Sequence, residues 1–164
     1  MILFGIDPGS AITGYGIIRT RGNETRWVDS GVIKTNPNDE LASKLNTIYD
    51  KLCALMATHA PDWVCIEEAF YAKNARTALV LGHARGVALL AGSRCGASIA
   101  EYSARSIKQA VVGKGGATKE QVSFMVRTLL SPPKDHDQVD ACDALAAALC
   151  GFSNIRAREV LARK

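Results

Sequence analysis

The feature that most constrains the fold is the opening segment MILFGIDPGSAITGYGII, in which an apolar run ends at a single acid, Asp7. A short apolar run of this kind is typical of a buried strand that ends at a sheet edge. The Pro-Gly pair that follows disfavours further strand pairing, and the apolar run at 15–18 predicts an immediate return strand. Asp7 then either starts the turn, by accepting hydrogen bonds from the following amides, or has a function at the strand end. The hairpin alone leaves both interpretations open.

Strand and helix patterns alternate along the rest of the chain. TRWVDSGVIKT predicts a third antiparallel strand, and WVCIEE and ASIAEYS predict two further strands. Apolar residues spaced three or four apart predict helices over 39–59, 74–91, 104–111, 118–130 and 136–150. Asn38 or Asp39 is the expected N-cap of the first helix, and Ser103 is that of the third. We therefore expect an α/β fold, with an antiparallel three-strand meander and two parallel strands in one five-stranded mixed sheet flanked by helices.

Length and composition predict one globular domain. A chain of 164 residues with 48% hydrophobic and 22% charged residues can bury a sizeable core. We expect a single domain over 1–153 and a short basic tail over 154–164 that frays. Three glycines and Lys114 at 113–116 predict a mobile basic loop. The chain shows no membrane-spanning run and no signal pattern, so we expect a cytoplasmic protein that does not bind a membrane.

Basic residues are concentrated in the middle of the chain. Residues 69–134 contain ten Lys and Arg residues against two acids, Glu101 and Glu120. Such a bias is typical either of a solvated helix face or of a surface that binds a polyanion. The bias alone does not distinguish these two interpretations.

Four acids are candidate ligands for a divalent cation. Asp140 and Asp143 lie three apart in VDACDALAAAL, so they share one face of the last predicted helix and repel each other. Mg²⁺ or Mn²⁺ would offset that repulsion, and Asp7 with either Glu67 or Glu68 would complete the ligand set. The two glutamates point to opposite faces of their strand, and the sequence does not say which one belongs. Two ions about 4 Å apart would permit metal-assisted hydrolysis of a phosphodiester.

Simpler explanations exist for several of these acids. An acid pair near a helix start often only complements the helix dipole, and Asp135 and Asp137 are expected to do this. His136 is consistent with a helix cap, with a group that supports the ligands, or with a ligand.

Five segments together resemble the RuvC-type Holliday-junction resolvases of bacteria, a family of the ribonuclease H-like superfamily. In the family's order over residues 1–150, they are GIDPGSAITGYG, IEEAFYAKNARTALVLGHARG, RSIKQAVVGKGGATKEQV, MVRTLL and VDACDALAAAL. The resemblance implies an endonuclease that resolves four-way DNA junctions in recombination and repair by paired symmetric cuts. It also implies Mg²⁺ as cofactor, two ions per site with Mn²⁺ able to substitute, a homodimer, and a branch-migration helicase complex of the RuvA–RuvB type as partner.

The resemblance also implies roles for particular residues. The metal-binding catalytic acids would be Asp7, Glu67, Asp140 and Asp143, which selects Glu67 over Glu68. Lys108 and Lys119 would lie near the scissile phosphate, where Lys119 would stabilise developing charge. Phe70 would stack on a base near the crossover, and Tyr71 would share that task unless it packs in the core. Backbone phosphates would contact Lys73, Arg76, Arg85, Lys108, Lys114 and Lys119. The glycine-bearing helix at 74–91 is the expected dimer surface.

Three other functions are compatible with the sequence. DPGSAITGYG also resembles the phosphate-binding hairpin of actin-like ATPases and sugar kinases, although those proteins close two such domains on a nucleotide. A ribonuclease H-like nuclease acting on structured RNA would use the same acids. In a DNA-binding module without activity, the acids would be structural only.

Overall fold

The computed structural model describes residues 1–68, 74–136 and 138–161, and in these ranges a five-stranded sheet of order β3-β2-β1-β4-β5 forms the centre. The strands are β1 (Ile2–Asp7), β2 (Ile12–Arg21), β3 (Glu24–Lys34), β4 (Trp63–Glu68) and β5 (Ser98–Ser103). The helices are α1 (Leu41–His59), α2 (Ala75–Arg94), α3 (Ala104–Val112), α4 (Lys119–Leu130) and α5 (Val139–Leu161), with a short 3₁₀ helix at Lys134–His136. β1, β2 and β3 pair antiparallel, whereas β1, β4 and β5 pair parallel. The predicted mixed sheet is confirmed.

Alternate side chains of β1 face two different sets of helices. Leu3 packs in a core with α3, α4 and α5, whereas Phe4 and Ile6 pack in a core with α1 and α2. β4 alternates in the same way, with Cys65 on the α5 side. Side chains alternate with a period of two along a strand. Residues at even spacings from Leu3 in β1 and from Cys65 in β4 therefore also face α5.

Glycines in β1 and β2 allow the backbone of α5 to lie directly on the sheet. A Cβ atom on Gly5 would collide with the carbonyl oxygen of Ala144, and one on Gly14 would collide with the carbonyl oxygen of Asp140. Gly14 pairs with Asp7 across the β1–β2 ladder. Because these glycines have no side chains, the start of α5 packs against the end of β1.

The N-caps follow the prediction in one helix and depart from it in another. Ser103 caps α3 as predicted, since its side chain accepts a hydrogen bond from the Ser106 amide. The predicted cap of α1 is wrong, because α1 begins after Glu40 and has no side-chain cap.

The last helix is longer than the apolar pattern predicts. The pattern predicted a helix over 136–150 and a frayed tail, but α5 runs from Val139 to Leu161, and the expected boundary at residue 153 falls inside it. Ile155 packs against the core, and the Arg156 guanidinium donates to Asn23 at 2.6 Å, on the turn between β2 and β3. These tertiary contacts hold a segment whose charge had suggested a solvated tail.

The loop at 113–116, which the sequence predicts to be mobile and basic, is bonded to a side chain of α3. The Gln109 side chain donates to the Gly113 carbonyl at 2.8 Å and accepts from the Gly115 amide at 3.0 Å. Gly113 itself caps α3 with φ of +80°. One side chain of α3 therefore fixes the basic loop that follows it.

No helix that could cross a membrane is found among the residues that the structure describes.

We expect Gly14→Ala to destabilise the fold by about 3 kcal/mol, because the added methyl group must push α5 off the sheet. Urea unfolding measures this loss. Gly116→Ala is the control, since a Cβ there meets nothing within 4 Å, and it should change the unfolding free energy by less than about 1 kcal/mol. Equal effects of the two substitutions would contradict the close approach of α5.

Candidate active site

The carboxyl ends of β1 and β4 place two acids side by side. Ile6 pairs with Ile66 in the parallel ladder, so the next residues lie side by side, Asp7 as the last residue of β1 and Glu67 as the last but one of β4. Each acid lies two residues after a residue that faces α5, Gly5 in β1 and Cys65 in β4. The strand alternation agrees with the choice of Glu67 that the family resemblance implies, because Glu67 shares the face of Asp7 whereas Glu68 has the opposite orientation.

α5 brings the other two acids to the same edge. Asp140 lies over Gly14, the residue that pairs with Asp7. Asp143, one turn later, lines a cavity of about 120 Å³ together with Glu67. The remaining lining residues come from α3, α4 and α5: Ala104, Ile107, Lys108, Lys119, Val122 and Ala146. The cavity therefore combines acidic and basic groups above an apolar floor.

Burial and neighbouring carboxylates raise the pKa of the two strand acids, Asp7 and Glu67. Burial, followed by the nearby Glu67 and Asp143 carboxylates, raises the pKa of Asp7 from 3.8 to about 7, although Lys119 opposes the shift. Burial and the Asp143 charge also raise the pKa of Glu67, against the opposing charges of Lys119 and Lys108. This edge of the sheet carries more negative charge than its lysines offset, which favours a bound cation.

Lys119 is the principal basic group at the site. Its Nζ donates to Asp143 Oδ2 at 2.8 Å, and this bond is the main reason why the pKa of Lys119 is raised. The Lys119 side chain is 68% exposed and that of Asp143 only 12%, so the lysine spans from solvent to a buried acid. It is the first residue of α4, whose start is fixed by a capping box between Thr118 and Gln121.

The donor atoms fit a hard cation, although the ligands are not fully assembled. Among residues 1–68, 74–136 and 138–161, no three acidic, histidine or cysteine side chains are close enough to hold a metal ion. Asp143 is engaged by Lys119 instead. Carboxylate oxygens are nevertheless the ligands that Mg²⁺ and Mn²⁺ prefer, and the four acids offer only these. Their assignment as a ligand set stays a prediction.

The predicted DNA contacts differ in their surroundings. Arg76 is exposed in the first turn of α2, Lys114 is exposed after α3, and Lys108 lines the acidic cavity. Arg85 is already paired, because its Nε donates to Glu101 Oε2 at 2.6 Å. Phe70, Tyr71 and Lys73 lie outside the described residues, as does Asp137.

Sequence reasoning missed two residues that position the acids, Gly5 and Gly14. The available signal was the presence of small residues on one face of the opening hairpin, where glycine often marks close backbone approach.

An antiparallel meander whose first strand ends in an acid, two further parallel strands of which β4 ends in acids, and an acid-bearing final helix define a ribonuclease H-like nuclease domain. The family description "Crossover junction endodeoxyribonuclease RuvC" matches residues 3–151. The chain therefore belongs to the RuvC family, which confirms the resemblance in its sequence.

Individual relatives cover nearly the whole chain. A protein of Syntrophotalea carbinolica named crossover junction endodeoxyribonuclease RuvC is 53% identical over 150 residues, which is 92% of each chain. One of the same name from Geobacter metallireducens is 47% identical over 161 residues, 98% of each chain. The structure of Thermus thermophilus RuvC in complex with a Holliday junction substrate matches with a TM-score of 0.88 and 30% identity, over 95% of both chains.

We expect Asp7→Asn to raise Tm in a metal-chelating buffer, and to do so more at pH 8 than at pH 5. The folded-state pKa of about 7 lies above 3.8, so the ionised carboxylate destabilises the fold above pH 7. Between about pH 7 and 4 the folded state alone takes up the proton, and the penalty disappears. The difference between the two pKa values of Asp7 corresponds to at most about 4 kcal/mol of unfolding free energy, or several degrees in Tm.

The control is Asp50→Asn on the exposed side of α1, which should leave Tm within about a degree at both pH values. If the gain from Asp7→Asn were the same at pH 5 and pH 8, the raised pKa of Asp7 would be wrong.

Proposed function

We propose that this chain resolves four-way DNA junctions by metal-dependent hydrolysis of phosphodiester bonds. The observation that carries the proposal is the pair of half-buried acids near the ends of β1 and β4, Asp7 and Glu67, close to Asp143 at one edge of the sheet. Membership of the RuvC family supports DNA junctions as the substrate, and the matched Thermus thermophilus protein was solved with a Holliday junction. The enzyme is thus an endodeoxyribonuclease.

Asp7, Glu67, Asp140 and Asp143 would hold Mg²⁺, with Mn²⁺ able to substitute. Two bound ions would supply an activated water and would stabilise the leaving oxygen. The protein contributes rigidity, because Asp7 pairs with Gly14 and Glu67 pairs with Tyr102 in the sheet, and the backbone of Asp140 packs against Gly14. Burial of the acids excludes much of the water that would otherwise screen their charge.

The lysines would act on the phosphate. Lys119 extends from α4 to the site, and most of its side chain is in solvent. A phosphate of the substrate would approach from that side. Lys108 lines the same cavity from α3. Both would stabilise negative charge that develops on the phosphate oxygens during hydrolysis.

The remaining DNA contacts would position the substrate without reading its sequence. Arg76 and Lys114 are exposed and available, and Phe70, Tyr71 and Lys73 are proposed from the family resemblance. Arg85 would have to leave Glu101, so we expect it to contribute least among them.

A homodimer would supply two symmetry-related sites for the two cuts. The exposed side of α2 is the surface that we propose for it. Leu79 and Leu90 are 65% and 53% exposed there, and a Cβ on Gly82 or Gly86 would meet nothing within 4 Å. An apolar side with small residues allows two helices to pack closely. In a bacterium such a dimer would act in the cytoplasm, with a branch-migration helicase complex of the RuvA–RuvB type as partner.

We expect Asp7→Asn to reduce cleavage of a synthetic four-way junction at least 10³-fold in Mg²⁺, because an amide replaces a charged ligand. Junction affinity without metal should stay the same or increase, since a repulsive charge is removed. Gel-based cleavage and binding assays measure both. Asp50→Asn should behave like the wild-type protein, and undiminished cleavage by Asp7→Asn would rule out the metal site. Cleavage of structured RNA in preference to the junction would favour the alternative substrate.

Lys119→Ala should lower the single-turnover cleavage rate by about 10²-fold while changing junction affinity less than about threefold. Lys114→Ala is the matched control, because it removes an exposed positive charge outside the acidic cavity. Lys114→Ala should weaken junction binding and reduce the salt dependence of binding, and the cleavage rate of the bound junction should stay the same. Equal losses of rate and affinity for Lys119→Ala would reduce Lys119 to a positioning role.

A further inference from the structure

A group of polar contacts ties the segment before α5 to the edge strand β3, and the proposed mechanism does not use it. His136 Nδ1 lies 2.6 Å from the carbonyl oxygen of Ser30. A carbonyl oxygen only accepts, so His136 Nδ1 carries a proton and donates it. In return, Ser30 Oγ donates to the carbonyl oxygen of His136 at 3.1 Å. Two residues 106 positions apart are thus joined by two hydrogen bonds.

Neighbouring side chains hold both partners in place. Trp27 Nε1 donates to Ser30 Oγ at 2.9 Å, and the Trp27 ring meets the His136 ring edge-on, with centroids 5.2 Å apart. The Ser30 amide donates to Asp29 Oδ1 at 2.8 Å, and the same oxygen lies 3.5 Å from His136 Nδ1. Ser30 is fully buried, so water cannot easily replace a lost partner. We call Trp27, Asp29, Ser30 and His136 the β3 clamp.

The β3 clamp acts next to the first turn of α5. A hydrogen bond from the Cys142 amide to the Gln138 carbonyl, at 2.9 Å, joins the first turn of this helix to the residue before it. Gln138 is two residues from His136, and consecutive Cα atoms are about 3.8 Å apart, so the two residues stay within about 8 Å. Helix starts fray because their first amides have no partner in the helix, and Asp140 is the second residue of α5.

We infer that His136 is a positioning residue: its Nδ1–H bond to Ser30 holds the first turn of α5 so that Asp140 stays at the acidic site. The inference rests on the proposed function in so far as it treats Asp140 as a metal ligand. Asp143 lies one turn further into α5 and is also held by Lys119. Loss of the β3 clamp should therefore affect Asp140 first.

Asparagine and glutamine at position 136 provide the decisive test. An asparagine amide can occupy the place of the histidine Nδ1–H, whereas a glutamine amide reaches the place of Nε2. His136→Asn should therefore keep the bond to Ser30, and both His136→Gln and His136→Ala should lose it. Two readouts are measured for each variant. They are amide hydrogen exchange over residues 142–144 without metal, and the Mg²⁺ concentration that gives half-maximal cleavage of a four-way junction.

We expect His136→Ala and His136→Gln to speed exchange at these amides at least tenfold and to raise the half-maximal Mg²⁺ concentration about five- to tenfold. His136→Asn should stay within about twofold of the wild-type protein in both readouts. Junction affinity without metal should not change in any variant, since the β3 clamp does not contact the substrate in this proposal. If His136→Ala fails to fold, the comparison of asparagine with glutamine still decides.

His59→Ala is the matched control. His59 Nε2 lies 3.6 Å from the other carboxylate oxygen of Asp29, at the end of α1, so its removal disturbs the same acid without touching the link to α5. Both readouts should stay within about twofold of the wild-type values.

Unchanged exchange in His136→Ala, or an asparagine variant as defective as the glutamine variant, would overturn the inference. An effect of His59→Ala as large as that of His136→Ala would assign the role to Asp29 instead, and loss of junction affinity in His136→Ala would make His136 a DNA contact. If the wild-type protein cleaved no junction with any metal, the proposed function would fail, and the exchange measurement would still decide whether His136 holds α5.

Discussion

The contact between the α5 backbone and the glycines of β1 and β2 is the constraint on which the rest of the structure depends. With no side chain at Gly5 or Gly14, the helix lies directly on the sheet, and the Asp140 backbone sits beside the end of β1. A helix held further out by ordinary side chains would leave Asp140 and Asp143 away from the strand-end acids. The glycines weaken β-strand propensity locally, but the buried alanine-rich face of α5 compensates through close packing.

That contact concentrates negative charge where the fold cannot easily tolerate it. Desolvation and mutual repulsion raise the pKa of Asp7 and of Glu67, so the metal-free fold carries a free-energy penalty at neutral pH. The penalty gives a physical reason why a cation would bind here, because a divalent ion would relieve the repulsion that destabilises the acids. In the proposed function, stability and activity would therefore act against each other at this edge of the sheet.

Contacts from α4 and β3 hold the part of α5 that carries Asp140 and Asp143. Lys119 approaches from α4 and bonds Asp143, whereas the β3 clamp holds the segment that leads into α5 through His136 and Ser30. Neither connection involves residues close in sequence. The strands that carry Asp7 and Glu67 are held by the hydrogen bonds of the sheet. The start of α5 needs additional contacts, because the first turn of a helix frays.

The sequence by itself determined the strand ending at Asp7, the acid pair on one face of the last helix, the order of strands and helices, and the family. These depend on local periodicity and on motifs that are contiguous in the chain. The strand alternation alone left Glu67 and Glu68 open, and the tertiary structure shows why the family resemblance points to Glu67: it lies on the same side of the sheet as Asp7, which depends on which core lies on each side of β4. Only the tertiary structure decided that Arg85 is paired with Glu101 and that α5 continues to Leu161. Each of these rests on contacts between distant residues, and no pattern along the chain records such contacts.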